Sequence, residues 1–208
     1  MEPFTRVTGV VLPLDRSNVD TDQIVPARYL KRIERQGWGE VLFYDWRYTD
    51  GEPNPEFVMN DERYGGAAVL VANRNFGSGS SREHAVWAVR QYGIRAVIAP
   101  SFADIFHKNC FENGLVPVIM TQEQVDTIMG KAQGSPGYEL TVDLKRCEVS
   151  DAEGFKAPFV VHEDPGTHEF RRNTLLNGLD EIALTLQQDE KIAAFEAKRP
   201  RWLASGVK

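Results

Sequence analysis

The chain has 208 residues, 42% of them hydrophobic and 26% charged, with a formal net charge of −6. That suffices for one sizeable core, and the acidic balance argues against a general nucleic-acid binder, which carries a basic surface. No apolar run approaches the roughly 20 residues that span a bilayer, and the start, MEPFTRVTGV, lacks the basic lead and apolar run of a secretory signal, so a cytoplasmic protein is expected.

Along the chain, Thr5 to Leu14 alternates weakly and predicts a strand. Asp20 and Asp22 straddle Thr21. Without the glycine and glutamate of a calcium loop, they predict a turn or a hydrogen-bonding role rather than a cation site. Pro26 breaks any helix across the next stretch, and Ala27 to Arg35 predicts about two helical turns before Gly37 and Gly39. Arg28, Lys31, Arg32 and Arg35 make that stretch a local basic concentration. TDGEPNPEF is the clearest surface loop.

From residue 67 a repeating alternation begins. AAVLVA, RAVIAP and LVPVIM predict short strands. Between them lie two helices. Arg82 to Tyr92 has Val86, Val89 and Arg90 at helical spacing and stops at Gly93; SFADIFHKNCFEN is capped by Ser101, presents Phe102, Ile105, Phe106 and Cys110, and stops at Gly114. Strands and helices alternating in this way imply parallel pairing. TQEQVDTIMGKAQ predicts a further helix with Thr121 at its start. GYELTVDLKRCEVSD and GFKAPFVV, around DAEG, predict an antiparallel hairpin. From DPGTHEF onward the tail reads as helical with a break at Gly178, and Ile182, Leu184, Leu186, Phe195 and Trp202 are expected in the core or against a partner. No repeat or composition shift forces a boundary, so one α/β domain over 1–208 is expected, with a helical tail from about residue 164.

The stretch NRNFGSGSSREHAVWAV, residues 73–89, admits three readings. As a dinucleotide turn it supplies Gly77 and Gly79, but Arg82 stands where the third glycine should be. The acidic partner would have to be Asp104, inside the next helix rather than at a strand end. As a plain helix start, Ser80 is the N-cap and Glu83 completes a capping box. A cap uses one hydroxyl, however, and the turn offers Ser78, Ser80 and Ser81 with a cation at Arg82 that opposes the helix dipole. The third reading keeps the cap and adds chemistry. Free N–H groups, close approach at Gly77 and Gly79, and Arg82 would together stabilise a substrate carboxylate or a deprotonated serine. His84, His107, His162 and His168 lack metal-ligand spacing and are expected to be structural.

NFGSGSSREHAVWAV, YGIRAVIAPSFADIFHKNCFENGLVPV and NVDTDQIVPARYL closely resemble the isopropylmalate dehydratase small subunits, a branch of the aconitase family equivalent to its mobile, swivelling C-terminal domain. The resemblance covers nearly the whole chain. It implies an α/β swivelling-domain fold (β/β/α) with a mostly parallel core sheet, an antiparallel hairpin and a helical C-terminal segment. It implies Ser80 as catalytic base, Ser81 and Arg82 as carboxylate ligands, and Asp22 as a residue ordering the network; Gly77, Gly79, Glu83 and His84, read from the turn and helix start, are expected to support them. A further substrate arginine would come from the loop after the T-D motif of Asp22, with Arg32 and Arg35 the candidates and Arg28 behind them.

The implied reaction, in leucine biosynthesis, moves a hydroxyl between adjacent carbons of 2-isopropylmalate by dehydration to isopropylmaleate and rehydration. It needs a base and a Lewis acid. The resemblance places that Lewis acid, a 4Fe–4S cluster, on a separate large subunit, so this chain would hold no metal and be inactive alone. Cys110 and Cys147, isolated and outside any CxxC pattern, agree with this, being too few for the usual thiolate set. A homoaconitase-type or methylmalate dehydratase small subunit is the alternative on the same fold, and an RNA-binding module the alternative outside it. The acidic balance counts against the latter; neither nucleic acid nor membrane is an expected partner.

Overall fold

In a computed structural model, residues 1–135 and 137–198 are described; Trp202, expected in the apolar set of the tail, lies outside them. The strands in chain order are β1 (Arg6–Leu14), β2 (Tyr48–Thr49), β3 (Glu52–Pro53), β4 (Val69–Ala72), β5 (Ala96–Ala99), β6 (Val116–Ile119), β7 (Glu139–Asp143), β8 (Glu148–Ser150) and β9 (Lys156–Pro158). The α-helices are α1 (Thr21–Ile24), α2 (Tyr44–Arg47), α3 (Glu83–Tyr92), α4 (Asp104–Asn113), α5 (Gln122–Gly134), α6 (Pro165–Asn177), α7 (Glu181–Leu186) and α8 (Asp189–Ala197).

The main sheet runs β6-β5-β4-β1-β7-β8-β9. β6, β5 and β4 are parallel, as the strand–helix alternation predicts, and β1 joins them in parallel beside β4. β1 is the hinge of the arrangement: Val11 to Leu14 pair in parallel with β4, while Arg6 to Val10 pair antiparallel with β7. Four-residue strands covered on both faces read as unbroken apolar runs. Leu70, Ala72, Val97 and Ala99 face Ala85, Val86, Ala88 and Val89 of α3. Val69, Val71, Ala96 and Ile98 face Val125, Ile128 and Met129 of α5. The sheet curls until Ile119, at the end of β6, exchanges two backbone hydrogen bonds with Val160 beyond β9, at 2.8 and 3.3 Å.

Several local expectations shift. The hairpin becomes a three-stranded meander, because the Asp143 carboxylate accepts from the Arg146 N–H (2.9 Å) and Cys147 turns left-handed at φ 51°. Ala27 to Arg35 forms one 3-10 turn, Ala27–Lys31, and the chain becomes extended at Arg32, leading to the buried Trp38. Ser101 does not cap α4. Its hydroxyl accepts from the Asn75 N–H at 2.9 Å, and Ala103 occupies the cap position. Phe106 and Cys110 are buried as expected, but Ile105 is exposed. Thr121 and Gln124 form the capping box of α5, and Gly178 ends α6 at φ 65°. On α7 and α8, Ile182, Leu186 and Phe195 lie exposed rather than in the core.

Candidate active site

Open parallel sheets place ligands at the carboxyl ends of their strands. Here the segments following β1, β4 and β5 are laced together at that end. The Gly77 and Ser78 N–H groups donate to the Val19 carbonyl (2.8 and 3.0 Å), and the Thr21 N–H donates to the Ser78 carbonyl (2.8 Å). Phe76 bridges to Phe102 beyond β5. Asn18 and Asn75, both left-handed, join side chains at 2.8 Å.

Two glycines are required by this lacing. At Gly77 (φ 80°) a Cβ would fall within the Phe106 side chain, and at Gly79 (φ 90°) on the Asp20 carboxylate. Both positions also need backbone that L side chains rarely adopt.

Beyond Gly79 the expected base emerges into solvent, with Ser80 and Ser81 both exposed. The Ser80 carbonyl accepts from the Thr21 hydroxyl at 3.1 Å, and its Oγ accepts from Arg82 Nε at 3.1 Å. The Arg82 side chain is only 16% exposed, and its Nη1 also donates to Asp22 Oδ1. One guanidinium therefore ties the serine hydroxyl to the carboxylate. A hydroxyl that accepts from a cation releases its proton more readily than one in water.

The capping-box expectation for Ser80 is overturned. α3 begins at Glu83, Arg82 is the N-cap with extended backbone (φ −131°, ψ 104°), and no side chain caps the helix. Glu83 does not reach back; its carboxylate accepts from Asn113 Nδ2 at 3.0 Å. Ser80 is held in the loop by Thr21 instead, and Arg82 precedes the helix rather than opposing its dipole from inside.

The real capping box lies opposite. Asp20 caps α1, accepting from the Asp22 N–H at 2.7 Å, while Gln23 accepts from the Asp20 N–H at 2.9 Å. Asp20, expected in a turn or hydrogen-bonding role, proves to be the helix cap, while Thr21 is the residue that motif reading missed. The D-x-x-Q spacing of Asp20 and Gln23 is the signal for the first; nothing local announces the second.

His84 sits between Trp38 and Trp87, with ring centroids at 4.5 and 4.8 Å. Burial lowers its pKa, Glu83 opposes and Arg82 reinforces, so the ring is neutral at physiological pH. The other histidines serve backbone: His107 Nε2 lies 2.7 Å from the Val161 carbonyl, and His168 and His162 accept from the Val161 and Asp164 N–H groups.

The loop arginines are not hydrogen-bonded to this cluster. Arg28 is committed to Asp45, which pushes its pKa up. Arg32 lies over the Tyr29 ring at 5.0 Å and donates to the Gly37 carbonyl at 3.4 Å. Arg35 lies 6.0 Å from the Trp87 ring centroid, at the rim of a cavity of about 330 Å³ shared with Glu83, Arg90 and Gln91.

The cysteines do not fit an iron–sulfur cluster. Cys110 is wholly buried, and burial pushes its thiol well above the ordinary value. Cys147 sits in the β7–β8 turn, 3.8 Å from His168 Nε2, and burial raises its pKa too. Among the described residues, no group of three or more His, Cys, Asp or Glu is placed to hold a metal ion.

With this geometry in hand, comparison with known proteins is specific. The family profile of the aconitase C-terminal domain matches residues 1–123, and LeuD_N matches 126–163. The profile of the C-terminal domain of 3-isopropylmalate dehydratase small subunits matches 181–203. The chain is 54% identical over 200 residues to a 3-isopropylmalate dehydratase small subunit from Brevibacillus brevis, covering 96% of this chain and 100% of that protein. It is 52% identical to the protein of that name from Methylibium petroleiphilum, covering 99% and 98%. A crystal structure of 3-isopropylmalate dehydratase (leuD) from Methanocaldococcus jannaschii superposes with a TM-score of 0.62 at 25% identity, covering 92% of this chain and 99% of that one. Profile, sequence and fold thus agree over nearly the whole chain, and the chain belongs to the 3-isopropylmalate dehydratase small-subunit family, within the aconitase group.

Proposed function

We propose that this chain is the small subunit of a 3-isopropylmalate dehydratase, a hydro-lyase that interconverts 2- and 3-isopropylmalate through isopropylmaleate in leucine biosynthesis. Ser80 is the base that takes the carbon-bound proton during dehydration and returns one during rehydration. Arg82 holds a substrate carboxylate with Ser81 beside it, and Asp22 fixes the guanidinium. Arg32 and Arg35 are the second set of carboxylate ligands. The observation that carries this reading is the Ser80 Oγ–Arg82 Nε contact at 3.1 Å, exposed at the carboxyl end of a parallel sheet.

A serine is a weak base, and the guanidinium offsets part of that weakness by favouring the oxyanion. General-base catalysis contributes on the order of 10²–10⁴ in rate, so Ser80→Ala should lower kcat by about that factor. The Lewis-acid assistance to the departing hydroxyl comes from a 4Fe–4S cluster on a separate large subunit. Everything assigned to this chain is proton transfer or carboxylate binding.

The test combines the purified chain with its cognate large subunit and follows isopropylmaleate absorbance from isopropylmalate. Turnover is expected only in the mixture, and it should collapse in Ser80→Ala while association of the two subunits persists. No turnover with the cognate partner would sink the assignment; full turnover in Ser80→Ala would sink the base. Faster turnover of a homologous 2-hydroxy diacid would move the substrate and leave the residue roles in place.

A further inference from the structure

A helix that begins at a reactive turn can also carry, along its flank, the fixings for another part of the same site. α3 does this. The arm formed by Arg32 to Gly37 returns to the helix at two points, both on Gln91. Gln91 Nε2 donates to the Arg35 carbonyl at 2.7 Å, and its Oε1 accepts from the Trp38 N–H at 2.9 Å.

Two further observations fix the same register. The Trp38 indole, fully buried, donates to the Glu34 carbonyl at 2.9 Å and packs on His84, two residues beyond Arg82. At Gly39 the chain lies directly on the last turn of α3: a Cβ there would stand 2.7 Å from the Gln91 carbonyl carbon and the Tyr92 nitrogen. Glycine is what permits that approach.

We propose that Gln91 is a positioning residue. It registers the arm bearing Arg32 and Arg35 against the helix whose first residues follow Ser80 and Arg82, and so sets the separation between the two carboxylate-binding ends of the site. This rests on reading Arg32 and Arg35 as substrate ligands. Gln91 itself is about 12 Å along the helix from Glu83 at 1.5 Å per residue, outside reach of the reacting atoms. Its side chain is exposed, so its removal spares the core.

The test uses Gln91→Ala and Gln91→Glu in the full chain. Assembled with the large subunit, Gln91→Ala should raise KM for isopropylmalate about tenfold while kcat changes less than about twofold, the mark of lost uniform binding. Gln91→Glu keeps the acceptor for Trp38 N–H but loses the donor to Arg35, and should fall between. In the free chain, trypsin should cut after Arg32 and Arg35 about five- to tenfold faster in Gln91→Ala than in wild type, with other sites unchanged, because local opening governs such cleavage.

Equal cleavage rates, or a loss of kcat at unchanged KM, would overturn the proposal. A cleavage difference alongside a wild-type assembly that turns over no isopropylmalate upholds the clasp and refutes the substrate instead.

Discussion

At Gly79 the backbone holds φ 90° and the space a Cβ would need is taken by Asp20. Gly79→Ala should therefore cost about 1–3 kcal/mol, the usual scale for forced left-handed backbone with a clash added. Gly51 is a control, with φ 86° and open space around it, so Gly51→Ala meets the backbone cost alone, about 1 kcal/mol. Denaturant unfolding of both variants checks the difference; equal costs would remove Asp20 from the argument. The pairing of Ser80 with Arg82 was legible in sequence because SGSSREH concentrates hydroxyls beside a cation. The Ser80 cap was misread because an S-x-x-E pattern is local. The hydroxyl of Thr21, 59 positions away in sequence, is what holds the Ser80 carbonyl.

Helix α5 is tied to the antiparallel part of the sheet by one buried carboxylate. Asp151, its side chain 1% exposed, accepts from Lys131 Nζ at 2.6 Å and from the Tyr138 hydroxyl at 2.8 Å. The Glu153 and Phe155 N–H groups donate to its other oxygen at 2.8 Å each. Burial alone would raise the pKa, but these donors outweigh it and hold the group at about 2. A carboxylate held below its ordinary value of about 3.9 contributes stability that is complete above that value and is lost as pH falls through the folded value. The urea midpoint of Asp151→Asn should thus lie below that of wild type near pH 7, with the gap closing toward about pH 2. A gap independent of pH would mean that shape rather than charge joins the elements. Runs such as AAVLVA and RAVIAP announced their strands, being apolar throughout and bounded by turn residues. The Leu144–Cys147 turn did not, because its cause is the Asp143 side chain folding onto the Arg146 N–H.

Taken as a whole, the chain presents the proposed site residues on open surface: Ser80, Ser81 and the arm from Arg32 to Gln36 are all exposed. Water-exposed charges contribute little until a wall excludes solvent, so the proposed assembly must cover them. Hydrogen exchange on mixing with the large subunit should show protection of residues 32–37 and 79–84, with the turn at 151–154 unchanged. Protection confined to α7 and α8 would place the partner elsewhere. No helix among the described residues is long and apolar enough to cross a membrane. The sequence made the parallel sheet legible, strand by strand. It could not reveal the meeting of Ile119 with Val160, since that contact depends on how far the whole sheet curls.

The two thiols have one further consequence. Oxidants attack thiolate rather than thiol, and burial keeps both Cys110 and Cys147 protonated at neutral pH. Peroxide oxidation of both thiols is therefore slow at neutral pH.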